Sequence, residues 1–169
     1  TAVGLLALFS NTIGSNNTGI GHEANVGSVG LVNATALGAF SLVNVSNKVR
    51  IGHTGIDIIE GQVPFSSPSD GRFKTDVQSN VPGLDFITKL RPVSYHFDYP
   101  AFSRFLGEND SAQESLQQRA EKREIGFIAQ DVEKIANELG YTFDGVNAPK
   151  NDGDNYSIVY AQFVMPLVK

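Results

Sequence analysis

The sequence predicts an α+β protein made of two unlike parts: a solenoid of short parallel strands, followed by a charged α+β domain. Charge divides the two parts, because residues 1–47 hold a single charged side chain, Glu23, and every Lys and Arg lies at position 48 or beyond. The first part also repeats with a short period, and the second alternates strand-like and helix-like apolar patterns.

The repeat begins at Thr1, Thr18 and Thr35, so its period is 17 residues. Each copy has a small residue second, an aliphatic residue third, Gly fourth and a small residue seventh. The aliphatic residues are Val3, Ile20 and Leu37, and the glycines are Gly4, Gly21 and Gly38. Stacked coils explain this pattern, with the aliphatic residues stacking inward and the glycines forming tight bends. A disordered Gly/Asn-rich linker is the alternative, but it gives no reason for aliphatic residues in register.

The second part carries apolar patterns of both kinds. Residues 84–90 predict a short helix, 93–97 alternate as a half-buried strand, and 132–139 have helical spacing that suits a core or subunit interface. The polar stretch 101–123, which includes Glu108, predicts a solvated helix or an arm.

A connector links the two parts. We expect residues 1–51 to be the repeats, 52–66 the connector and 67–169 the α+β domain. Pro64 through Pro68 should form an extended, exposed loop. A bond that is to be cut needs such a loop, because a backbone locked in a sheet cannot reach an attack geometry.

The run from Ser69 to Lys74 lies at the start of the α+β domain and places a hydroxyl five residues before an amine. A serine hydroxyl is a poor nucleophile until a base takes its proton, and a lysine can be that base if burial lowers its pKa. Ser–Lys pairs are a known variant of the catalytic triad. A solvated turn would explain the same spacing.

Several ordered blocks of the sequence carry a resemblance to a known family. They are Ser69-Asp70-Gly71-Arg72-Phe73-Lys74, Gly83-Leu84-Asp85-Phe86-Ile87, Leu90-Arg91-Pro92-Val93-Ser94-Tyr95, Gly126-Phe127-Ile128-Ala129-Gln130-Asp131-Val132 and Tyr156-Ser157-Ile158. Together they resemble the endosialidase-type C-terminal intramolecular chaperones, a family of self-cleaving peptidases. Members of that family drive the trimerisation of phage tail spikes, tail fibres and bacterial surface fibres, and then cut themselves off.

The resemblance implies specific roles at the start of the domain. Ser69 matches the nucleophile, Lys74 the base, and Ser69–Asp70 the scissile bond. The chemical route stays open, because attack of Ser69 Oγ on its own carbonyl would close a four-membered ring. Attack on the Pro68 carbonyl, or delivery of the serine from a neighbouring chain, is geometrically easier.

The repeats resemble the heads of trimeric autotransporter adhesins. That resemblance implies a trimeric left-handed parallel β-roll for residues 1–51, which the α+β intramolecular chaperone domain would follow. Such a roll carries few charges because its sides are buried against two sister chains.

The remaining features limit the choice of partners. A net charge of −5 argues against nucleic acid, no apolar run is long enough to enter a membrane, and the absence of Cys excludes disulfides. We expect no metal or other cofactor, because His22 and His53 lack partners at metal spacing and the loop 151–155 lacks the full calcium ligand set.

The functional expectation is a homotrimer at the end of a phage tail fibre or a bacterial surface fibre, whose upstream part binds a host-surface receptor. Because the chain begins at Thr1 rather than Met, we expect it to be part of a longer protein. Two other functions stay open. One is a trimerisation cap that does not cut, and the other is an adhesin whose repeats bind a host glycan.

Overall fold

The structure is a computed structural model that describes residues 1–108 and 113–169. Its strands are β1 (Ala2–Val3), β2 (Thr18–Ile20), β3 (Asn25–Val26), β4 (Thr35–Leu37), β5 (Leu42–Val43), β6 (Val49–Ile51), β7 (Val93–His96), β8 (Arg123–Gly126), β9 (Val146–Asn147) and β10 (Ser157–Ile158). Its α-helices are α1 (Leu84–Ile87), α2 (Tyr99–Leu106), α3 (Gln113–Ala120), α4 (Ala129–Glu138) and α5 (Val164–Val168).

The strands of the repeats form a parallel stack. The order β1–β2–β4–β6 makes one ladder, and β3 pairs in parallel with β5 on another side. Thr18 lies opposite Thr35, and Thr35 lies opposite Val49, so each coil of the chain lies on the one before it. The left-handed, trimeric β-roll stays a prediction.

The stack has an apolar interior of small and medium side chains. Its buried residues are Ala24, Val26, Leu31, Ala34, Ala36 and Val43. The prediction that Val3, Ile20 and Leu37 stack inward is wrong for the single chain, because 55%, 40% and 39% of their surfaces are exposed. Neighbouring residues of a strand point to opposite sides. The small second residue therefore fills the narrow interior in the second and third copies, where Gly19 and Ala36 are buried, and the aliphatic third residue lies outside. In the first copy, at the open end of the stack, Ala2 is exposed.

The glycines of the repeat have backbone conformations that other residues rarely adopt. Gly4 and Gly21 have φ angles of 127° and 129°. A Cβ atom on Gly4 would lie 2.5 Å from the carbonyl oxygen of Gly21 in the next coil. A side chain at this position would therefore strain the backbone and push the coils apart.

A buried asparagine bonds one coil to the next. The Asn17 side-chain amide donates to the carbonyl oxygen of Leu31 over 2.7 Å and to Asn11 Oδ1 over 2.9 Å. Its Oδ1 accepts from the backbone N–H of Ala34 over 2.8 Å. The side chain thus satisfies backbone groups inside the stack that water cannot reach.

The α+β domain is built around an aromatic core. Phe86 on α1 is fully buried and packs with Val132 and Ala136 of α4 and with Phe163. Strands β7 and β8 form an antiparallel pair beside it.

A second group of contacts joins the α+β domain to the last coil of the stack. Helix α2 ends at Gly107, whose left-handed conformation turns the chain so that Glu108 is buried against Arg50 and Thr54. The prediction that Glu108 belongs to a solvated helix or arm is therefore wrong. The sequence could not reveal its partners because they lie more than 50 residues away in the chain.

We expect Phe86→Ala to lower the free energy of unfolding by about 3–5 kcal/mol, because a large buried side chain leaves a cavity. Phe65→Ala is the matched control, since 90% of Phe65 is exposed, and its effect should be within about 0.5 kcal/mol. Denaturant unfolding of both variants measures the difference. Equal losses would contradict the placement of Phe86 in the core.

We expect Asn17→Ala to lower the free energy of unfolding by about 1–3 kcal/mol, because it leaves the Ala34 N–H and the Leu31 carbonyl buried without a partner. Asn147→Ala is the control, since that side chain bonds at the surface to Ser157 Oγ. The same unfolding measurement applies, and a loss no larger than that of the control would argue against the buried bonding.

Candidate functional site

The Ser69–Lys74 segment folds into a short, hydrogen-bonded turn. Residues Gly71–Phe73 form one turn of 3-10 helix, and Asp70 caps it by accepting a hydrogen bond from the Arg72 N–H over 2.9 Å. The Lys74 N–H closes the turn on the Gly71 carbonyl. This turn brings Lys74 Nζ to 2.8 Å from Ser69 Oγ.

An ion pair stiffens the same turn. Arg72 donates from Nε and Nη2 to both carboxylate oxygens of Asp70, at distances of 2.6 to 3.1 Å. The side-chain hydrogen bond from Arg72, followed by the one from the Arg72 backbone N–H, lowers the pKa of Asp70 below its usual value. The same pair raises the pKa of Arg72. Asp70 is therefore an anion at neutral pH, in position to pair with the Arg72 guanidinium.

The structure thus brings the predicted residues Ser69, Asp70 and Lys74 together. All of residues 56–80 are exposed in the single chain. The 2.8 Å contact puts the amine in reach of the hydroxyl proton, and a lysine that has lost its own proton could accept it. His96, on β7, bonds through Nδ1 to the carbonyl oxygen of Ala120 at the end of α3, and among the described contacts it has none with Ser69 or Lys74.

The contacts between the last coil and the α+β domain were missed by the sequence analysis. Arg50 Nη2 donates to Glu108 Oε1 over 2.9 Å, and Lys48 Nζ donates to Asp154 Oδ1 over 2.7 Å. Only 2% of the Glu108 side chain and 7% of the Asp154 side chain are exposed. The signal that could have found them is the position of Lys48 and Arg50, which are the first cations in the chain and end a low-charge repeat.

Charge and hydrogen bonding set the protonation state of Asp154. Burial on its own raises the pKa of a carboxyl group, but the hydrogen bond from Lys48 and the backbone N–H groups of Lys150 and Asn155 outweigh it and lower the pKa. The loop 151–155 is therefore a turn in which the Asp154 carboxylate pairs with Lys48.

The described residues also bear on metal binding and on membrane insertion. Across residues 1–108 and 113–169, no group of three or more His, Cys, Asp or Glu side chains could hold a metal ion. His53 Nδ1 accepts from the Gly55 N–H, and His22 lies 5.0 Å from the ring of Phe40. No helix in the described part of the chain has the length and hydropathy to span a membrane.

Comparison with known proteins bears on the segment that contains the Ser–Lys pair. Residues 69–141 match the model of a peptidase family described as chaperone of endosialidase. Searches of curated proteins and of solved structures gave no significant match. The matched segment begins at Ser69 itself and continues through α4. Residues 69–141 are therefore a domain of the chaperone-of-endosialidase family.

Proposed function

We propose that the chain is the end of a trimeric fibre, joined to a chaperone domain that drives trimerisation and then cuts itself off at Ser69–Asp70. The observation that carries this proposal is the 2.8 Å contact between Ser69 Oγ and Lys74 Nζ, at the first residue of the family match. The fibre would belong to a phage tail or a bacterial cell surface.

The proposed chemistry depends on assembly. An exposed lysine amine is solvated as a cation, whereas burial favours the neutral amine that a general base requires. Docking of neighbouring subunits over the exposed segment 56–80 would supply that burial. Lys74 then takes the hydroxyl proton of Ser69, and Ser69 Oγ attacks the Ser69 carbonyl carbon of a neighbouring chain. The Ser69–Asp70 C–N bond breaks, the Asp70 amine leaves with the proton held by Lys74, and water hydrolyses the ester to free the Ser69 carboxylate. A cut that waits for docking cannot release the chaperone too early.

The repeat stack offers a surface for trimer formation. Val3, Ile20, Leu37 and Ile51 lie in register along β1, β2, β4 and β6, and they expose 55%, 40%, 39% and 45% of their surfaces. We call this row the aliphatic ladder. A continuous apolar row on a stack with few charges favours burial against identical chains.

The cut would remove the domain that is needed for folding from the fibre that has already folded. Bringing three chains into register is slow, because conformational entropy is lost before contacts between distant residues can stabilise the assembly. A chaperone domain lowers that barrier, and its removal leaves the finished fibre behind a high unfolding barrier.

We expect Ser69→Ala and Lys74→Met each to abolish cleavage, because they remove the proposed nucleophile and base. The freshly expressed wild type should give two fragments on a denaturing gel, and each variant one intact chain. Ser67→Ala and Lys89→Met are the matched controls and should cut as the wild type does. Light scattering must show that all variants form the same oligomer, so that a loss of cutting is not a loss of assembly.

The fragment masses identify the cut bond. A cut at Ser69–Asp70 leaves the serine on the first fragment, whereas attack on the Pro68 carbonyl transfers it to the second. An intact, trimeric wild type would contradict self-cleavage and leave a trimerisation cap that does not cut.

We expect Leu37→Lys to weaken the trimer, because it places a charge in the middle of the aliphatic ladder. Val29→Lys is the control, since Val29 is 50% exposed but lies outside the ladder. Light scattering against concentration should show dissociation of the first variant at concentrations where the second stays trimeric. Equal stability of the two trimers would rule out the ladder as the interface.

A further inference from the structure

The last coil of the repeat stack has backbone groups that no further coil can satisfy. Strand β6 ends the ladder β1–β2–β4–β6, so its outer side is an edge. Beyond it, the Thr54 N–H donates to Glu108 Oε2 over 2.9 Å, and Arg119 Nη1 donates to the carbonyl oxygens of Thr54 and Ile56 over 3.2 and 2.7 Å. The α+β domain thus bonds the polar groups at the end of the stack.

Asparagine side chains extend the same contact. Asn44 Nδ2 lies 3.3 Å from the Leu106 carbonyl oxygen and 3.1 Å from that of Gly153. In return, Asn151 Nδ2 donates to the Asn44 carbonyl oxygen over 3.0 Å. The coil side of the contact therefore runs from Asn44 to Ile56, and its other side lies wholly within the α+β domain.

Opposite charges face each other across this contact. Lys48 and Arg50 stand on the coil side, and Asp154 and Glu108 stand on the domain side. We call these four residues the charge latch. The Arg50–Glu108 pair is the better shielded, with 17% and 2% of the side chains exposed.

The latch distinguishes the last coil from every earlier one. In the ladder, Arg50 lies opposite Ala36, and Ala36 lies opposite Gly19. Residues 1–47 contain no Lys or Arg. A domain that presents two buried carboxylates can therefore satisfy their charges only at the terminal coil.

The proposed cut falls between the two sides of the latch. Asn44 to Ile56 would remain on the fibre, and Glu108, Arg119 and Asp154 would leave with the second fragment. Among the described residues, neither ion pair of the latch includes a residue of the segment 57–80, and Asp57, which lies 3.8 Å from Arg119 Nη1, is on the fibre side of the proposed cut. Breaking the bond at Ser69–Asp70 therefore removes the covalent link and leaves these contacts as they were.

We propose that the charge latch holds the severed chaperone domain on the terminal coil, so that cutting and departure are separate steps and ionic strength controls the second. The proposal deepens the proposed function, because it concerns what happens after the cut. Salt weakens the attraction between partly exposed charges and lowers the cost of exposing the pair to solvent. The Lys48 side chain, 36% exposed, is the part of the latch that salt reaches first.

The test uses the full chain with Ser69→Ala and a site-specific protease recognition sequence inserted directly after Gln62, where the connector is exposed. Added protease then cuts every variant, whether or not self-cleavage occurs. Size-exclusion chromatography at increasing sodium chloride concentrations follows the release of the second fragment. We expect the fragments to elute together at low salt and to separate as salt rises.

Glu108→Gln is the decisive variant, because it removes the charge and turns an amide N–H toward Arg50 or the Thr54 N–H. We expect its second fragment to dissociate about 30-fold faster or more, as for truncation of one partner of a buried charge pair. Glu138→Gln is the matched control, since the ion pair of Glu138 in the described part of the chain is with Lys134, across one turn of the same helix. Its release should equal that of the parent.

A second variant keeps the proposal testable if the first variant does not fold. If Glu108→Gln does not fold, Lys48→Met removes the more exposed cation, and it should lower the salt concentration at which the fragments separate. Immediate separation of the parent at low salt would overturn the proposal. So would release from Glu108→Gln at the rate of Glu138→Gln. A failure of self-cleavage is seen in the chain that keeps Ser69 and affects neither result.

Discussion

The narrow interior of the repeat stack is the constraint on which the rest of this protein depends. Small and medium side chains such as Ala36 and Val43 fill the space between the ladders, and the aliphatic third residue of each copy lies outside. The aliphatic ladder on this outer side is the surface that the proposed trimer would bury. A folding domain at the end of the stack would then serve to bring the three chains into register.

The last coil and the α+β domain are joined by polar bonds rather than by a shared apolar core. The two buried clusters of the described chain lie separately, one around Val26 and Val43, the other around Phe86. Between them stand the charge latch and the asparagine contacts. A polar junction of this kind can be strong in place and still separate cleanly, because each face is soluble once water reaches it.

Much of the fold could be predicted from local patterns, because those patterns act over short distances. The 17-residue period predicted stacked coils, and β1, β2 and β4 pair at that spacing, whereas Thr35 of β4 pairs with Val49 of β6. The pairing of Ser69 with Lys74 was implied by the family resemblance, since the spacing alone also fits a solvated turn. The prediction that the aliphatic third residue of each copy faces inward was wrong, because the repeat period alone does not indicate which face of a strand lines the interior. Glu108 was missed because its partners depend on how two distant segments pack.

The turn at Asp70–Arg72 has a consequence for the products of the reaction. A cut after Ser69 would create a new carboxylate on one fragment and a new ammonium group at Asp70 on the other. The carboxylate would form within reach of Lys74, whose protonated amine would attract it, while the Asp70 carboxylate held by Arg72 would neutralise the ammonium group. Charged termini of this kind cannot rejoin, so the reaction would run once and in one direction.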